Sequence, residues 1–334
     1  MADVGALAGV SGQTVSRVVN DSPRVDPATR LRVEQAMSRL GYRPHRAARA
    51  LRTGRTQTVG LVASTLATVG NSRMLQAVAD AAAARGYSLV VVTLGAATAT
   101  PRGKSAASAI AGAFERLRDQ GVDGAIVLNE ATDLVRDAST PADLALVVVD
   151  SPRDDRFGVV VTDHAGGARA ATEHLLALGH RTVHHLAGPT GSFAAAERER
   201  GWRDALAAAG AEASTPLRGD WSAASGHAAG AELPPDASAV FVANDQMALG
   251  MLRALAGDGR SVPRDVSVVG FDDVADAADY RPPLTTVRQD FDRLGERAIA
   301  LLVDRIEAGR SAAGAYETIE TQLTLRNSTA APRD

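Results

Sequence analysis

Hydrophobic positions in the first 55 residues recur at helical spacing, and the breaks between them fall on residues that start or stop helices. Asp3 to Ala8 reads as a short helix, Gly9-Val10-Ser11 as a tight turn, and Ser11 as the N-cap of a second helix running to about Val19. Val10, Val15 and Val18 form the apolar face that packs this pair, which turns Gly12, Gln13, Ser16 and Arg17 outward. Asp26-Pro27 combines a cap with the preset φ of proline and starts a third helix, which Gly41 ends. The apolar positions Leu31, Val33, Ala36, Met37 and Leu40 are expected to close a three-helix core.

From Thr58 the pattern changes to short β-like runs: "TVGLVA", "SLVVVTL", "GAIVL", "LALVVVD", "FGVVVTD", "TVHHLAG", "AVFVAN" and "VSVVGFD". Alanine-rich helices such as Ser72 to Arg85 and Ala165 to Leu178 separate them, and a last strand-like stretch covers Glu317 to Leu325. This alternation predicts parallel sheets joined by right-handed crossovers. The runs are too many for one sheet of usual size, so two α/β subdomains are expected, with a ligand cleft at the carboxyl ends of their strands. Between the two regions, "PHRAARALRT" (residues 44–53) has good helix formers but too few apolar positions to hold a helix alone, so it should fold only when braced.

Charge sharpens this division. Residues 1–55 carry ten arginines against four acids, a balance of +6, whereas the whole 334-residue chain sums to −3. A basic head on an acidic body is the footprint of a nucleic-acid-binding module, although a solvated charged face would give the same count. The absence of cysteine excludes disulfides, thiolate metal sites and cysteine nucleophiles. Neither a basic-then-apolar leader nor an apolar run of membrane-spanning length is present, so a cytoplasmic location with no membrane partner is expected.

Candidate chemistry gathers at the predicted strand ends. Asp150 closes "LVVVD", Asn244 and Asp245 close "FVAND", and Asp272 and Asp273 close "VVGFDD". A sugar needs planar acceptors and donors for its hydroxyls and an aromatic plate for its C–H face; Trp221 could be that plate and Arg198 could add a fork of donors. Taken singly, each carboxylate could as easily cap a helix. His180, His184 and His185 look like a metal cluster, but "HRTVHHLAG" reads as a strand, on which such positions spread too far apart for one ion. No nucleophile, base and orienting group occur together, and Asp272-Asp273 would face opposite ways, so neither an enzyme nor a metal or other cofactor is expected. On the second helix, Gln13 and Arg17 lie four apart on one face, where an amide can pair with adenine and a guanidinium with guanine in a major groove.

"AGVSGQTVSRVVN" and "RLGYRPHRAARALRTGRT", followed by "LAGPTGS", "GDWSAASG", "VANDQMALG", "VSVVGFDD" and "PPLTTVRQDF", resemble the lactose repressor (LacI/GalR-type) family of bacterial transcription regulators over nearly the whole chain. The resemblance implies a small all-α helix-turn-helix head plus an α/β body of two periplasmic-binding-protein-like subdomains with parallel sheets. It implies a DNA-binding domain over 1–44, a hinge helix and linker over 45–56, and an effector-binding and dimerisation domain over 57–334. Subdomain one would comprise about 57–161 plus 291–321, and subdomain two about 162–290 plus 322–330. Carried over residue by residue, the DNA-binding set is Gly12, Gln13, Thr14, Ser16, Arg17, Asn20, Arg46, Arg49 and Leu51, with Leu51 as a minor-groove wedge. The effector set is Ser64, Asp150, Ser192, Arg198, Trp221, Asn244, Asp272, Gln289 and Phe291. Gly12, where the family offers a base-contacting side chain, and His45 at the hinge depart from its pattern.

The expected function is a transcriptional repressor that binds a palindromic double-stranded operator and is released by a small sugar, a galactoside for preference. A homodimer is the expected assembly, since no leucine-repeat helix follows the last strand-like stretch. The alternatives are a sugar-binding transport-type protein and a corepressor-dependent regulator of the same fold. The basic head argues against the first, and Trp221 with its polar neighbours favours a neutral polyol over a purine.

Overall fold

The computed structural model describes residues 1–19, 22–42, 54–95, 104–128, 131, 135, 140–141, 143–308 and 314–333. The chain divides into a unit over Met1–Gln57 and a larger one over Thr58–Asp334. Asn20, Arg46, Arg49 and Leu51, with the proposed hinge helix, lie outside the described residues.

The first unit is built from α1 (Ala2–Ala8), α2 (Gly12–Val19) and α3 (Pro27–Arg39). Gly9 ends α1 at φ 65°, a left-handed conformation that costs glycine little, and the Val10 amide returns to the Gly5 carbonyl at 2.9 Å. Ser11 then accepts from the Thr14 amide at 3.1 Å, and Asp26 from the Thr29 amide at 2.9 Å, so both expected caps form. The core consists of Val4, Ala8, Val15, Val18, Val33 and Ala36, with Val10 and Met37 packed against it. Leu31 and Leu40, expected in this core, are instead 56% and 47% exposed. Leu31 precedes Val33 by two residues and so faces almost the opposite side of the helix, while Leu40 is the C-cap, where the spiral has already ended.

The larger unit holds two six-stranded sheets. In the first, β1 (Thr58–Ala63), β2 (Ser88–Thr93), β3 (Gly124–Leu128), β4 (Ala145–Val149), β5 (Gly158–Thr162) and β11 (Tyr316–Ile319) run in the order β11-β5-β4-β3-β1-β2, all parallel. Helices α4 (Val69–Ala84) and α10 (Phe291–Ala308) cover one face and α5 (Lys104–Asp119) the other. Strands β3, β4 and β5 are buried throughout, which is why they read as unbroken valine-rich runs rather than alternating ones.

The second sheet orders β6 (His184–Ala187), β7 (Leu217–Arg218), β8 (Ala239–Val242), β9 (Ser267–Asp272), β10 (Thr285–Arg288) and β12 (Gln322–Thr324) as β12-β10-β9-β8-β6-β7, with only β12 antiparallel. Helices α6 (His164–Ala177) and α7 (Phe193–Ala208) pack on one face, and α8 (Ala223–Gly230) and α9 (Asp245–Gly257) on the other. The chain passes between the sheets at Asp163, at Gln289-Asp290 and at Glu320-Thr321. Two of these passages are tied together: the Asp163 amide donates to the Ile319 carbonyl at 2.8 Å and Thr321 Oγ1 to the Asp163 carbonyl at 3.3 Å.

Two expectations about strands change. The stretch Glu317 to Leu325 is two strands in different sheets, not one. His180 lies ahead of β6 rather than on it, held by Ser238 Oγ at 2.9 Å and the Ala330 carbonyl at 3.0 Å, while His185 stacks on Phe241 within the core. The three histidines therefore have separate partners, and among the described residues no group of three His, Cys, Asp or Glu could hold a metal ion.

Candidate functional site

The carboxyl ends of the two sheets face a narrow cleft that is partly open to solvent. Its walls include Asp150, Ser192, Arg198, Trp221, Asn244, Asp272, Gln289 and Phe291. Eight of the nine effector-binding candidates thus lie together. Ser64, just past β1, is not part of the lining; Thr68, Gly70 and Met74 form that wall because α4 starts there and brings its first turn to the cleft.

Backbone geometry aims several of these side chains. Asp150 at φ 56°, Trp221 at φ 74°, Asp272 at φ 114° and Asp273 at φ 52° all adopt left-handed conformations that L residues avoid. Such strain persists only where the surroundings impose it, and here it clusters at the mouths of β4 and β9 and at the entry to α8. Trp221 lies over Gly188, where a Cβ would come within 2.3 Å of the indole, so the bare backbone of Gly188 makes room for the ring. Asn244 does two jobs: Oδ1 caps α9 through the Met247 amide at 2.9 Å, and Nδ2 donates to the Trp221 carbonyl at 3.1 Å.

The centre is a chain of buried polar groups. Arg198, only 4% exposed, donates from Nη1 to the Ala243 carbonyl, contacts Asp272 Oδ1 through Nη2 at 3.5 Å, and stacks its guanidinium 3.8 Å from the centre of the Phe271 ring. Gln289 Nε2 donates to Asp272 Oδ1 at 2.6 Å. On the other side Arg198 Nε and Nη2 reach His164 Nδ1 at 3.3 Å, and His164 Nε2 lies 3.0 Å from Asp150 Oδ1. A guanidinium only donates, so Nδ1 is the acceptor and the ring proton sits on Nε2, towards Asp150. The sequence reading missed His164; its signal was its place two residues past the end of β5 and beside the α6 cap Asp163.

The carboxyls respond differently to burial. Burial pushes Asp150 up, but the His164 imidazole, the Thr162 amide and Arg198 outweigh it and leave the group below the ordinary carboxylate range. Burial also raises Asp272, and Arg198 and Gln289 only partly offset it. Asp245, behind the cleft, is pushed well above the ordinary range by burial and then by the Asp272 charge, against hydrogen bonds from Thr286 Oγ1 at 2.5 Å and the Val274 amide at 2.9 Å. A water-shielded wall of planar donors and acceptors with an indole beside it suits a neutral polyhydroxylated ligand.

On the helical unit, Gln13 and Arg17 are exposed on α2, while Thr14 and Ser16 are partly buried at its edge. Gly12 opens α2 with nothing within 4 Å of where a Cβ would stand, so the fold itself does not require glycine there. Among the described residues no helix is long and apolar enough to cross a membrane.

Comparison with known proteins agrees with both halves. Residues 1–45 match the bacterial regulatory proteins of the lacI family, and residues 172–329 match a periplasmic binding protein-like domain. The HTH-type transcriptional regulator CelR of Thermobifida fusca is 39% identical, covering 97% of this chain and 96% of its own. The lactose operon repressor of Escherichia coli (strain K12) is 35% identical, covering 99% and 90%. A lac repressor dimer bound to operator and an anti-inducer superposes with a TM-score of 0.83 at 35% identity over 98% of both chains, and a CelR-cellobiose complex with 0.71 at 37% identity, again over 98% of both. With a helix-turn-helix unit at one end and a two-sheet cleft in its body, this chain belongs to the lacI family of bacterial regulatory proteins, which are DNA-binding transcription regulators and not enzymes.

Proposed function

We propose that the chain is a homodimeric transcriptional repressor whose affinity for a palindromic operator falls when a galactoside occupies the cleft between the two sheets. The observation that carries the sugar reading is the chain of buried polar groups Asp150, His164, Arg198, Asp272 and Gln289, joined by contacts of 3.5 Å or less, of which all but His164 line the cleft beside Trp221. Arg198 and Asp272 would meet ring hydroxyls while the Trp221 indole covers a C–H face. Gln13 and Arg17 would read base edges, with Gly12, Thr14, Ser16 and Asn20 beside them and Arg46, Arg49 and Leu51 in a hinge that folds on the operator. A ligand shifts an equilibrium only by its differential affinity for two states, so the sugar would favour one placement of the subdomains and the operator the other.

A second reading is that the ligand is a β-linked glucose disaccharide, favoured by the 39% identity to CelR and the similarity to its cellobiose complex. A thermal-shift series with methyl β-galactoside, lactose, cellobiose and hypoxanthine separates the readings, because a ligand that binds only the folded state raises the melting temperature. A galactoside that stabilises the protein and releases it from DNA supports the first reading. Stabilisation by cellobiose alone supports the second, and tighter DNA binding with hypoxanthine would overturn both in favour of a corepressor.

A further inference from the structure

His164 is the first residue of α6, in the segment that leaves the first sheet through Asp163 and enters the second half of the body. It is 1% exposed and held between rings, 5.9 Å from Phe271 and 6.4 Å from Phe193. One nitrogen meets Asp150, at the end of β4 in the first sheet; the other accepts from Arg198, on α7 of the second. It thus joins the two halves by a polar contact at the base of the cleft. Asp150 is itself fixed on the first sheet, because its Oδ1 also accepts from the Thr162 amide at 3.0 Å.

From this juxtaposition we propose that His164 is the positioning residue through which the placement of the first subdomain, read at Asp150, sets the orientation of the Arg198 guanidinium that meets the effector. The proposal rests on the sugar reading of the cleft. A shift of Asp150 relative to α6 moves the carboxylate that faces Nε2 of the imidazole at 3.0 Å, and the imidazole in turn meets two of the three guanidinium nitrogens. The role requires a side chain that donates on one side and accepts on the other. A neutral imidazole does this, and so does a carboxamide; a hydrocarbon does neither. Effector affinity and subdomain placement are then coupled through one side chain, and the coupling is reciprocal.

The test compares His164→Gln, which keeps a donor and an acceptor, with His164→Leu, which fills the space and keeps neither. The protein is the full chain, the DNA a fragment it selects from a random-sequence pool, and the probe whichever of methyl β-galactoside and cellobiose stabilises the unaltered protein. The readout is the ratio of operator affinities without and with saturating probe, which a purely structural role would leave unchanged once the variant is folded. His164→Leu is expected to weaken probe binding about tenfold and bring that ratio close to unity, with sugar-free operator affinity within about twofold of the parent. His164→Gln is expected to keep most of both effects. A parental ratio in His164→Leu overturns the proposal, as does loss of the ratio in a folded His164→Gln.

The ring nitrogen NMR signals of the unliganded protein give a reading independent of any sugar: Nε2 protonated and Nδ1 an acceptor are expected, and a protonated Nδ1 overturns the proposal. If neither probe binds the parent, the sugar reading fails and these signals alone decide whether His164 joins Asp150 to Arg198.

Discussion

Asp272 shows how much of the cleft is written in single residues. Its φ of 114° suits an Asp, Asn or Gly far better than an alanine, so the informative substitution is Asp272→Asn, which keeps the backbone and removes the charge facing Arg198. This variant should lose its response to sugar while binding operator in sugar-free buffer within about twofold of the parent, as read by fluorescence anisotropy. Loss of sugar-free DNA binding would make Asp272 structural. His185 leads to a pH dependence. Burial pulls its pKa from 6.5 down to about 4, partly offset by the hydrogen bond to the Phe241 carbonyl. The folded state keeps His185 neutral while the unfolded chain protonates it, so its contribution to stability is intact above pH 6.5, is lost as pH falls towards 4, and then levels off. The loss is on the order of 3 kcal/mol. His185→Phe, which keeps a ring against Phe241, should show a shallower fall in urea-unfolding free energy over that window. An unchanged slope would assign the acid sensitivity elsewhere.

At the scale of elements, legibility follows burial. The runs "TVGLVA" and "GAIVL" match β1 and β3 end to end, because strands covered on both faces are apolar without interruption. The helix-turn-helix was equally plain, since Ser11 and Asp26 cap where their residue types predict. What escaped had no local mark. β7 is two residues long, and β10 lies in "PPLTTVRQDF", where two buried threonines weaken the apolar signal. From Tyr316 to Thr324 partly buried and exposed positions alternate almost without a break, so the change of sheet at Glu320-Thr321 leaves no trace in the pattern. His164 was hidden because its meaning depends on Asp150 and Arg198, fourteen and thirty-four positions away. For α2, exposure of Gln13 and Arg17 on one helix gives a direct expectation. Arg17→Ala should cost about 1–3 kcal/mol on the selected operator and little on random DNA in gel-shift titrations. Equal losses on both would reassign Arg17 to the phosphates.

For the whole molecule, reading a palindrome calls for a two-fold assembly, so light scattering at micromolar concentration should give the mass of two chains. Tetramers would overturn that expectation. If sugar weakens operator binding by some factor, saturating operator must weaken sugar binding by the same factor in calorimetry, and a mismatch would rule out a single linked equilibrium. The three passages between the sheets, at Asp163, Gln289-Asp290 and Glu320-Thr321, have a mechanical meaning of their own. One strap between two rigid bodies permits bending, twisting and sliding; three, two of them stitched by hydrogen bonds, would oppose twist and slide and leave hinge bending as the soft motion. Ligands of different shape would then register on a single coordinate, the opening angle. Occupied and empty clefts would become points along one line, so that a new effector need only prop the jaws at a chosen width.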